Sequence, residues 1–434
     1  MNNQMTNNNY TQFSQKRLTE LQRGLRAKYD AVAAKGLKLD MSRGKPGRDQ
    51  LDLSVGMLDC LTKGDYMAQG GVDCRNYGGL DGIAEIKRIF ADILSVDPCQ
   101  VIVGGNASLS MMFDNIASNM SHGVRDQVPW QRQGHVKFLC PVPGYDRHFS
   151  ICEYFHIEMI PVPMTPAGPD MSIVERLVAE DEMIKGMWCV PVFSNPDGCV
   201  YSGETVLRLA NMKPKAADFR LYWDNAYAIH HFEGERAVIP NIIRECEKAG
   251  NPHMPLEFFS FSKISFPGAA VSAVISSASN CDFIRKRLFV QTVGPDKLNM
   301  LRHVRFFGDA EGVYRHMEKM AVLVRAKFDA MDGILRENLD GKGIAQWNEP
   351  RGGYFVSFNT LPGCAKRVYE LCAQAGVTLT GAGATYPCGR DPEDCNIRLA
   401  PTYPEIDELK QAAEVFCLAV ELASVEKLVK ERKE

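Results

Sequence analysis

Short apolar runs alternate with helix-length amphipathic stretches from about Asp81 to Gly308, and this alternation constrains the fold more than any other feature of the chain. Each run has the length of a buried strand, and each intervening stretch is long enough for a helix. The alternation predicts a mainly parallel sheet with helices on both faces. The runs are Val101–Val103, Lys137–Cys140, Met187–Phe193, Phe219–Trp223, Glu257–Phe261 and Ala270–Ile275.

Both ends of the chain predict a second, smaller unit. Apolar residues recur at spacings of three and four from Leu18 to Val32 and again from Met317 to Leu335, which is typical of helices. Strand-like and helical segments then alternate up to a last helix from about Glu405. We therefore expect an α/β protein with a large domain at residues 81–310 and a smaller α+β domain. That domain is built from residues 1–80 (tail, helix and arm) and 311–434.

Composition narrows the classes of function. The 434 residues carry a net charge of −3, which gives no reason to expect nucleic acid or a membrane as partner. The Asn-rich N-terminus lacks the pattern of a signal peptide. The 14 cysteines include no C-x-x-C pair, so we expect reduced thiols in a cytoplasmic protein and no metal site. Cys388 and Cys395 form the nearest approach to such a pair.

Two charged residues follow apolar runs in a pattern that suits one chemistry. Lys263 comes after Phe258–Phe261, and Asp224 comes after Leu221–Trp223. A lysine amine can hold pyridoxal phosphate (PLP) as a Schiff base, and a carboxylate can keep the pyridine nitrogen protonated. Most lysines are solvated surface charges, but the apolar surroundings of Lys263 fit that alternative poorly.

Other polar residues follow further runs. Gly104–Ser108 leads from a strand into a helix, which is either a plain turn or a phosphate site. Asn195 lies in a Pro-containing turn and Tyr227 follows Asp224, so both could reach the hydroxyl of the cofactor ring. Arg398 stands in a short apolar strand, where it either forms a structural salt bridge or binds the α-carboxylate of an amino acid.

Four strings in order carry a family resemblance: Ser42–Gly47, Arg75–Gly79, Pro143–Phe149 and Arg302–Phe306. Together with Lys263 and Asp224, they resemble the PLP-dependent aminotransferases with the aspartate-aminotransferase fold. The chain looks most like a bacterial branch of aspartate aminotransferases, and the resemblance covers essentially everything after the Asn-rich tail.

The resemblance implies a role for each matching position. Lys263 would form the Schiff base and act as general base in the 1,3-proton shift, Asp224 would pair with the ring nitrogen, and Tyr145 would stack on the ring. Tyr77 would reach the phosphate of the neighbouring subunit's cofactor, which implies a homodimer. The other cofactor ligands would be Asn106, Ala107, Ser108, Asn195, Tyr227, Ser260 and Ser262. The substrate would be bound by Arg398, Gly44, Asn195 and Lys45.

One departure from the family concerns the phosphate. Many relatives have an arginine about eight residues after the lysine, but Ser265–Val271 contains none. The phosphate then depends on serines and amides or on a cation elsewhere.

The expected reaction is amino transfer from aspartate to 2-oxoglutarate. A dicarboxylate needs a second cation, and the sequence leaves several candidates open: Arg43, Lys45, Arg147, Arg302 and Arg305. Another PLP reaction on the same fold, such as a β-lyase, a decarboxylase or an aminotransferase of different specificity, stays possible. A non-catalytic amino-acid sensor is a remote alternative. The near-neutral charge and the short segment before Met41 count against it.

Overall fold

The computed structural model describes residues 8–232 and 236–432, so the first seven residues of the Asn-rich tail lie outside it. Within these ranges the chain forms thirteen α-helices and fifteen strands. The helices are α1 Gln15–Ala33, α2 Arg48–Asp52, α3 Ala84–Leu94, α4 Ser108–His122, α5 Asp146–Tyr154, α6 Met171–Glu180, α7 Gly203–Asn211, α8 Ile242–Lys248, α9 Ala278–Gln291, α10 Lys297–Phe307, α11 Ala310–Leu339, α12 Ala365–Gln374 and α13 Ile406–Glu431. The strands are β1 Leu39–Asp40, β2 Met67–Ala68, β3 Val72–Asp73, β4 Val101–Val103, β5 Lys137–Val142, β6 Glu158–Thr165, β7 Gly168–Pro169, β8 Ile184–Cys189, β9 Arg220–Asp224, β10 Pro255–Ser260, β11 Ser272–Ile275, β12 Ala345–Trp347, β13 Val356–Thr360, β14 Val377–Thr378 and β15 Asn396–Leu399.

The central sheet has eight strands in the order β4-β11-β10-β9-β8-β5-β6-β7. Strands β10, β9, β8, β5 and β6 run parallel, while β11 is antiparallel to both of its neighbours. Every residue of β8, β9 and β10 is buried, as expected for parallel strands with helices on both faces. The predicted α/β fold with a mainly parallel sheet is confirmed.

Proline explains two differences between the predicted strands and the structure. The run Met187–Phe193 stops being a strand at Cys189, because Pro191 has no N–H to donate to a neighbouring strand. Strand β6 was not predicted at all, since Pro161 and Pro163 interrupt its pattern. It pairs with β5 from Glu158 to Pro163 and with β7 only at Met164 and Thr165, so the other edge beside the prolines is unpaired and tolerates them.

Residues from both chain ends pack together in the smaller part of the molecule. Helix α1 lies against α13, and the hydroxyl of Tyr10 donates to Glu421 over 3.0 Å. Strand β1 pairs in parallel with β14, and β12, β13 and β15 form an antiparallel sheet. The division into a large and a small domain, with boundaries at residues 80 and 310, stays a prediction.

The described residues include thirteen α-helices and fourteen cysteines. None of the helices in the described ranges is both long enough and apolar enough to cross a membrane. All fourteen cysteines are free thiols, and most are buried. Cys388 is exposed and Cys395 is half-buried, and they form no disulfide.

A buried ion pair ties β8 to the segment that leads into β9. The amine of Lys185 lies 2.8 Å from Asp218 Oδ1, and both residues are less than 5% exposed. The other carboxylate oxygen accepts from Trp130 Nε1 at 3.0 Å and from Gln133 Nε2 at 2.9 Å. This network fixes the start of the two strands whose far ends carry the polar residues described below.

We predict that Asp218→Ala will lower the free energy of unfolding by about 3–5 kcal/mol, because it leaves the Lys185 amine buried without a counter-charge. Denaturant unfolding measures the change. The control is Arg208→Gln, which breaks the half-exposed pair with Glu175 and should cost less than about 1 kcal/mol. Equal losses in the two variants would contradict the importance of the buried network.

Candidate active site

Two neighbouring strands bring the lysine and the aspartate to one end of the sheet. Strand β9 ends at Asp224, and β10 ends at Ser260 and continues into a short 3₁₀ turn at Phe261–Lys263. The strands are parallel, with Asp224 paired to Phe258, so Lys263 follows at the same carboxyl end. The Lys263 amine lies 5.0 Å from the centre of the Tyr227 ring.

Lys263 is half-buried, and its amine lies in the electric fields of two charged groups. Burial lowers its pKa below the usual range of a lysine; the Asp224 carboxylate opposes this shift and the Arg398 guanidinium adds to it. The backbone carbonyl of Lys263 lies 3.3 Å from both the hydroxyl of Tyr354 and Nε2 of His230. The main chain is therefore held in place while the amine has the lowered basicity that a nucleophilic lysine needs.

The Asp224 carboxylate has one partnered and one unpartnered oxygen. Its Oδ2 lies 3.0 Å from His148 Nε2, and the His148 ring stacks on Trp188 with centroids 4.2 Å apart and planes 5° apart. Its Oδ1 is buried and has no hydrogen-bond partner among the described residues. A buried acceptor without a donor is costly, so this oxygen fits a ligand that brings an N–H, such as a protonated pyridine ring.

Sequence reasoning assigned no role to His148 or Trp188. His148 lies within Pro143–Phe149 and follows Tyr145 by three residues, a spacing that puts both on one helix face. Its ring centroid is 4.9 Å from that of Tyr145. This spacing is the one sequence feature that could have indicated His148 as part of the site. Trp188 lies inside β8, and its sequence pattern is that of an ordinary core residue.

Both tyrosines of the site keep their protons at neutral pH. Burial, and then the charge of Asp224, raise the pKa of Tyr145 to about 12. Burial also raises the pKa of Tyr227 well above its usual value. Each phenol is therefore available as a hydrogen-bond donor. Tyr145, Asn195 and Trp188 line one cavity at the end of β8.

Arg398 in β15 reaches the same region from the smaller part of the molecule. It is 7% exposed. Its Nη1 lies 2.7 Å from Asp146 Oδ1 and 3.2 Å from Asn195 Oδ1, and its Nη2 lies 3.5 Å from Thr380 Oγ1. The guanidinium also sits over the Phe355 ring, 4.8 Å from its centre. The structure thus brings Arg398 and Asn195 into contact, as both assigned roles require.

The Gly44–Lys45 loop packs against this arginine site. The Thr380 hydroxyl donates to the Ser42 carbonyl over 2.9 Å. A Cβ on Gly44 would lie 2.1 Å from Phe355 Cζ, so only glycine allows this close approach. The Lys45 amine lies 3.8 Å above the Tyr403 ring.

The suggested phosphate turn lies beside the strand that leads to Lys263. Asn106 and Ala107 connect β4 to α4, and Ala107 at the N-cap has no side-chain hydrogen bond to the first turn. The amides at the start of α4 are therefore left to another acceptor. The Ser260 hydroxyl donates to the Asn106 carbonyl over 3.4 Å and accepts from the Ser262 amide at 3.0 Å. Ser108 is the first residue of the helix.

The segment without the expected arginine is held by neutral contacts. Asn299 Nδ2 donates to the Ala270 carbonyl over 2.9 Å, and His303 Nε2 lies 2.9 Å from the Ser265 hydroxyl. Arg302 in turn donates to the side chain of Asn299. Neutral side chains thus contact the segment in which the family resemblance led us to expect an arginine.

Tyr77 lies outside the buried cluster. It is 83% exposed, and its loop is fixed by the Lys297 amine, which donates to the carbonyls of Asn76 and Gly78 over 2.6 and 2.7 Å. Of the candidates for a second cation, Arg305 is paired with Asp65 over 2.9 Å, whereas Arg43 and Arg147 are exposed.

Comparison with known proteins decides the family. The family model for aspartate amino-transferase matches residues 13–432. This chain is a member of that family. An aspartate aminotransferase of Corynebacterium glutamicum is 46% identical over 415 residues, covering 95% of this chain and 96% of the relative. The family resemblance found in the sequence is confirmed, and the chain is an enzyme, a PLP-dependent aminotransferase.

Solved structures agree with the family assignment. The crystal structure of an aspartate transaminase from Corynebacterium glutamicum superposes with a TM-score of 0.95 at 45% identity, covering 98% of this chain and all of that one. The α-aminoadipate aminotransferase of Thermus thermophilus, complexed with N-(5'-phosphopyridoxyl)-L-leucine, has a TM-score of 0.71 at 18% identity. It covers 96% of this chain and 97% of its own, and at this identity the likeness concerns the fold alone.

We predict that Gly44→Ala will raise KM for the amino-acid substrate about tenfold, because the new methyl group must displace the Phe355 ring beneath Arg398. Steady-state kinetics measure the change. Gly24→Ala is the control: Gly24 lies in α1 with open space around it, so KM should not move. An unchanged KM in Gly44→Ala would contradict a role of this loop in substrate binding.

Proposed function

We propose that this enzyme transfers the amino group of aspartate to 2-oxoglutarate, with PLP attached to Lys263. The observation that carries the proposal is a lysine amine of lowered pKa in the field of a buried carboxylate, whose Oδ1 has no donor among the described residues. The relative from Corynebacterium glutamicum, named aspartate aminotransferase, supports the choice of amino donor.

The residues present fit the cofactor. Lys263 would hold it covalently, Asp224 Oδ1 would accept from its ring nitrogen, and Tyr145 would pack on its ring. When bound, PLP supplies an electron-withdrawing ring that acidifies the Cα–H bond of the amino acid. Asn195 and Tyr227 would donate to its ring oxygen, and its phosphate would lie at the start of α4. That phosphate site would comprise Asn106, Ala107, Ser108, Ser260 and Ser262.

Lys263 also moves the proton. With its amine free, Nζ would accept the α-proton of the substrate and then donate it to the cofactor. Its lowered pKa makes the neutral, proton-accepting form more available near neutral pH. The carbonyl contacts with Tyr354 and His230 fix the main chain from which the amine reaches out. Burial lowers the pKa of His230 to about 3, so His230 adds no charge beside the amine.

His148 and Trp188 keep the aspartate in position. Stacking fixes the His148 ring, and its Nε2 fixes one oxygen of Asp224. The other oxygen is then presented in one orientation. A carboxylate held in this way can keep a ring nitrogen protonated in a site that excludes water.

Substrate binding falls to Arg398 and the loop beside it. The planar guanidinium suits an α-carboxylate, and Asn195 lies next to it to complete the clamp. We assign the side-chain carboxylate of a dicarboxylate to Lys45, because its loop packs on Phe355 beneath Arg398 while Arg305 is paired with Asp65.

A homodimer is part of the proposal. Phe289, Val290 and Val293 are 75%, 87% and 61% exposed, which is unusual for apolar side chains. The Gly78 amide donates to the Val293 carbonyl over 3.0 Å, so the Tyr77 loop is continuous with this apolar surface. A two-fold dimer through it would carry Tyr77 toward the partner's phosphate site. The cytoplasmic location stays a prediction.

The PLP-loaded protein should convert aspartate alone into a stoichiometric amount of oxaloacetate, with loss of its visible absorbance. This half-reaction measures amino transfer directly. Release of ammonia or carbon dioxide instead would support a β-lyase or a decarboxylase. Lys263→Ala should lose both the absorbance band and turnover, whereas Lys248→Ala, at a 70% exposed side chain, should keep both. Full turnover without Lys263 would overturn its role.

We predict that Arg398→Gln will raise KM roughly hundredfold for the amino acid and the 2-oxo acid alike, since both carry the carboxylate that Arg398 binds. Steady-state kinetics with each substrate varied in turn measure the effect. Arg176→Gln, which removes an exposed arginine paired with Glu180, serves as control. A rise for only one substrate would reassign Arg398 to the side-chain carboxylate.

A further inference from the structure

Arg398 already has a carboxylate partner within the chain. Asp146, the first residue of α5, places Oδ1 2.7 Å from Arg398 Nη1. The same nitrogen is 3.2 Å from Asn195 Oδ1. Asp146 therefore engages the guanidinium in the way that a substrate carboxylate does.

Arg398 also has contacts that do not involve Asp146. All four residues of β15 are buried, and the guanidinium lies on the Phe355 ring with Asn195 and Thr380 at its edges. These contacts hold the arginine from below and from the sides. The Asp146 side chain, by contrast, is 32% exposed, whereas that of Arg398 is 7% exposed. Asp146 is the contact that can leave toward solvent.

We propose that Asp146 is an internal competitor for Arg398: it neutralises the arginine when the site is empty, and the α-carboxylate of the substrate displaces it. This inference rests on the proposed role of Arg398. It makes Asp146 a residue that sets the affinity for every α-carboxylate.

The exchange of carboxylates has two physical consequences. A buried guanidinium never stands without a counter-charge, which would be costly. In return, the ion pair adds to the binding free energy of each ligand only by the difference between the ligand's pair with Arg398 and the pair of Asp146 with Arg398. The displaced carboxylate also stays near the site, where it repels anionic ligands, most strongly those that bring no ammonium group.

The test uses succinate, an unreactive dicarboxylate, as the probe of the PLP-loaded enzyme. Asp146→Asn keeps an acceptor oxygen for Arg398 and removes the competing charge, so succinate should bind about threefold to tenfold more tightly. Calorimetry and competitive inhibition of aspartate turnover both measure this affinity. KM for aspartate should fall as well. Glu153→Gln makes the same charge change on an exposed residue of α5 and should leave the affinity for succinate unchanged.

Weaker or unchanged succinate binding in Asp146→Asn would overturn the inference, because it would make Asp146 a support for Arg398 or a bystander. Asp146→Ser removes the charge while keeping a hydroxyl in the first helical turn, and it should also tighten binding. Calorimetry needs no turnover, so this result is separate from the proposed function. If the wild-type enzyme does not transaminate aspartate, the proposed function fails; if it does and the variants bind no tighter, the inference alone fails.

Discussion

The site depends on bringing a lysine amine and an aspartate carboxylate to the same end of the sheet. Burial lowers the pKa of the amine, and the charge of the nearby carboxylate opposes that shift. Parallel pairing of β9 with β10 imposes that proximity, because Asp224 pairs with Phe258 and Lys263 follows five residues later. Trp188 and Tyr227 are buried at this end of the sheet, and charges that are shielded from water interact more strongly.

The sequence predicted those parts of the molecule that depend on residues close together in the chain. Alternating runs predicted the parallel sheet, and the strand ends indicated Lys263 and Asp224, since ligands lie at carboxyl ends. Contacts between distant elements had no such local signal. The stacking of His148 on Trp188 joins a helix to a strand, and the pairing of Asp146 with Arg398 joins residues 252 positions apart in the chain. Roles taken from the family remain proposals.

The region around Arg398 illustrates how several elements share one task. Strand β15 supplies the arginine, the loop before α2 supplies Gly44, and Phe355 lies between them. Because no Cβ fits at Gly44, the loop and the ring are in direct contact, and a shift of either is transmitted to the guanidinium. The loop that carries Gly44 follows β1 directly, so its position depends on the pairing of β1 with β14.

The contacts of the Lys263 carbonyl limit which part of this residue can move. The Tyr354 hydroxyl lies 3.3 Å from this oxygen and 3.0 Å from Gln50 Oε1 in α2, so its single proton is shared between two acceptors. His230 holds it from the sheet side. The backbone at position 263 is thus held in place, and the amine changes position by rotation about the bonds of its own side chain. In the role proposed for it, Nζ would move a proton between two nearby atoms by rotation of this side chain, while the sheet stays in place.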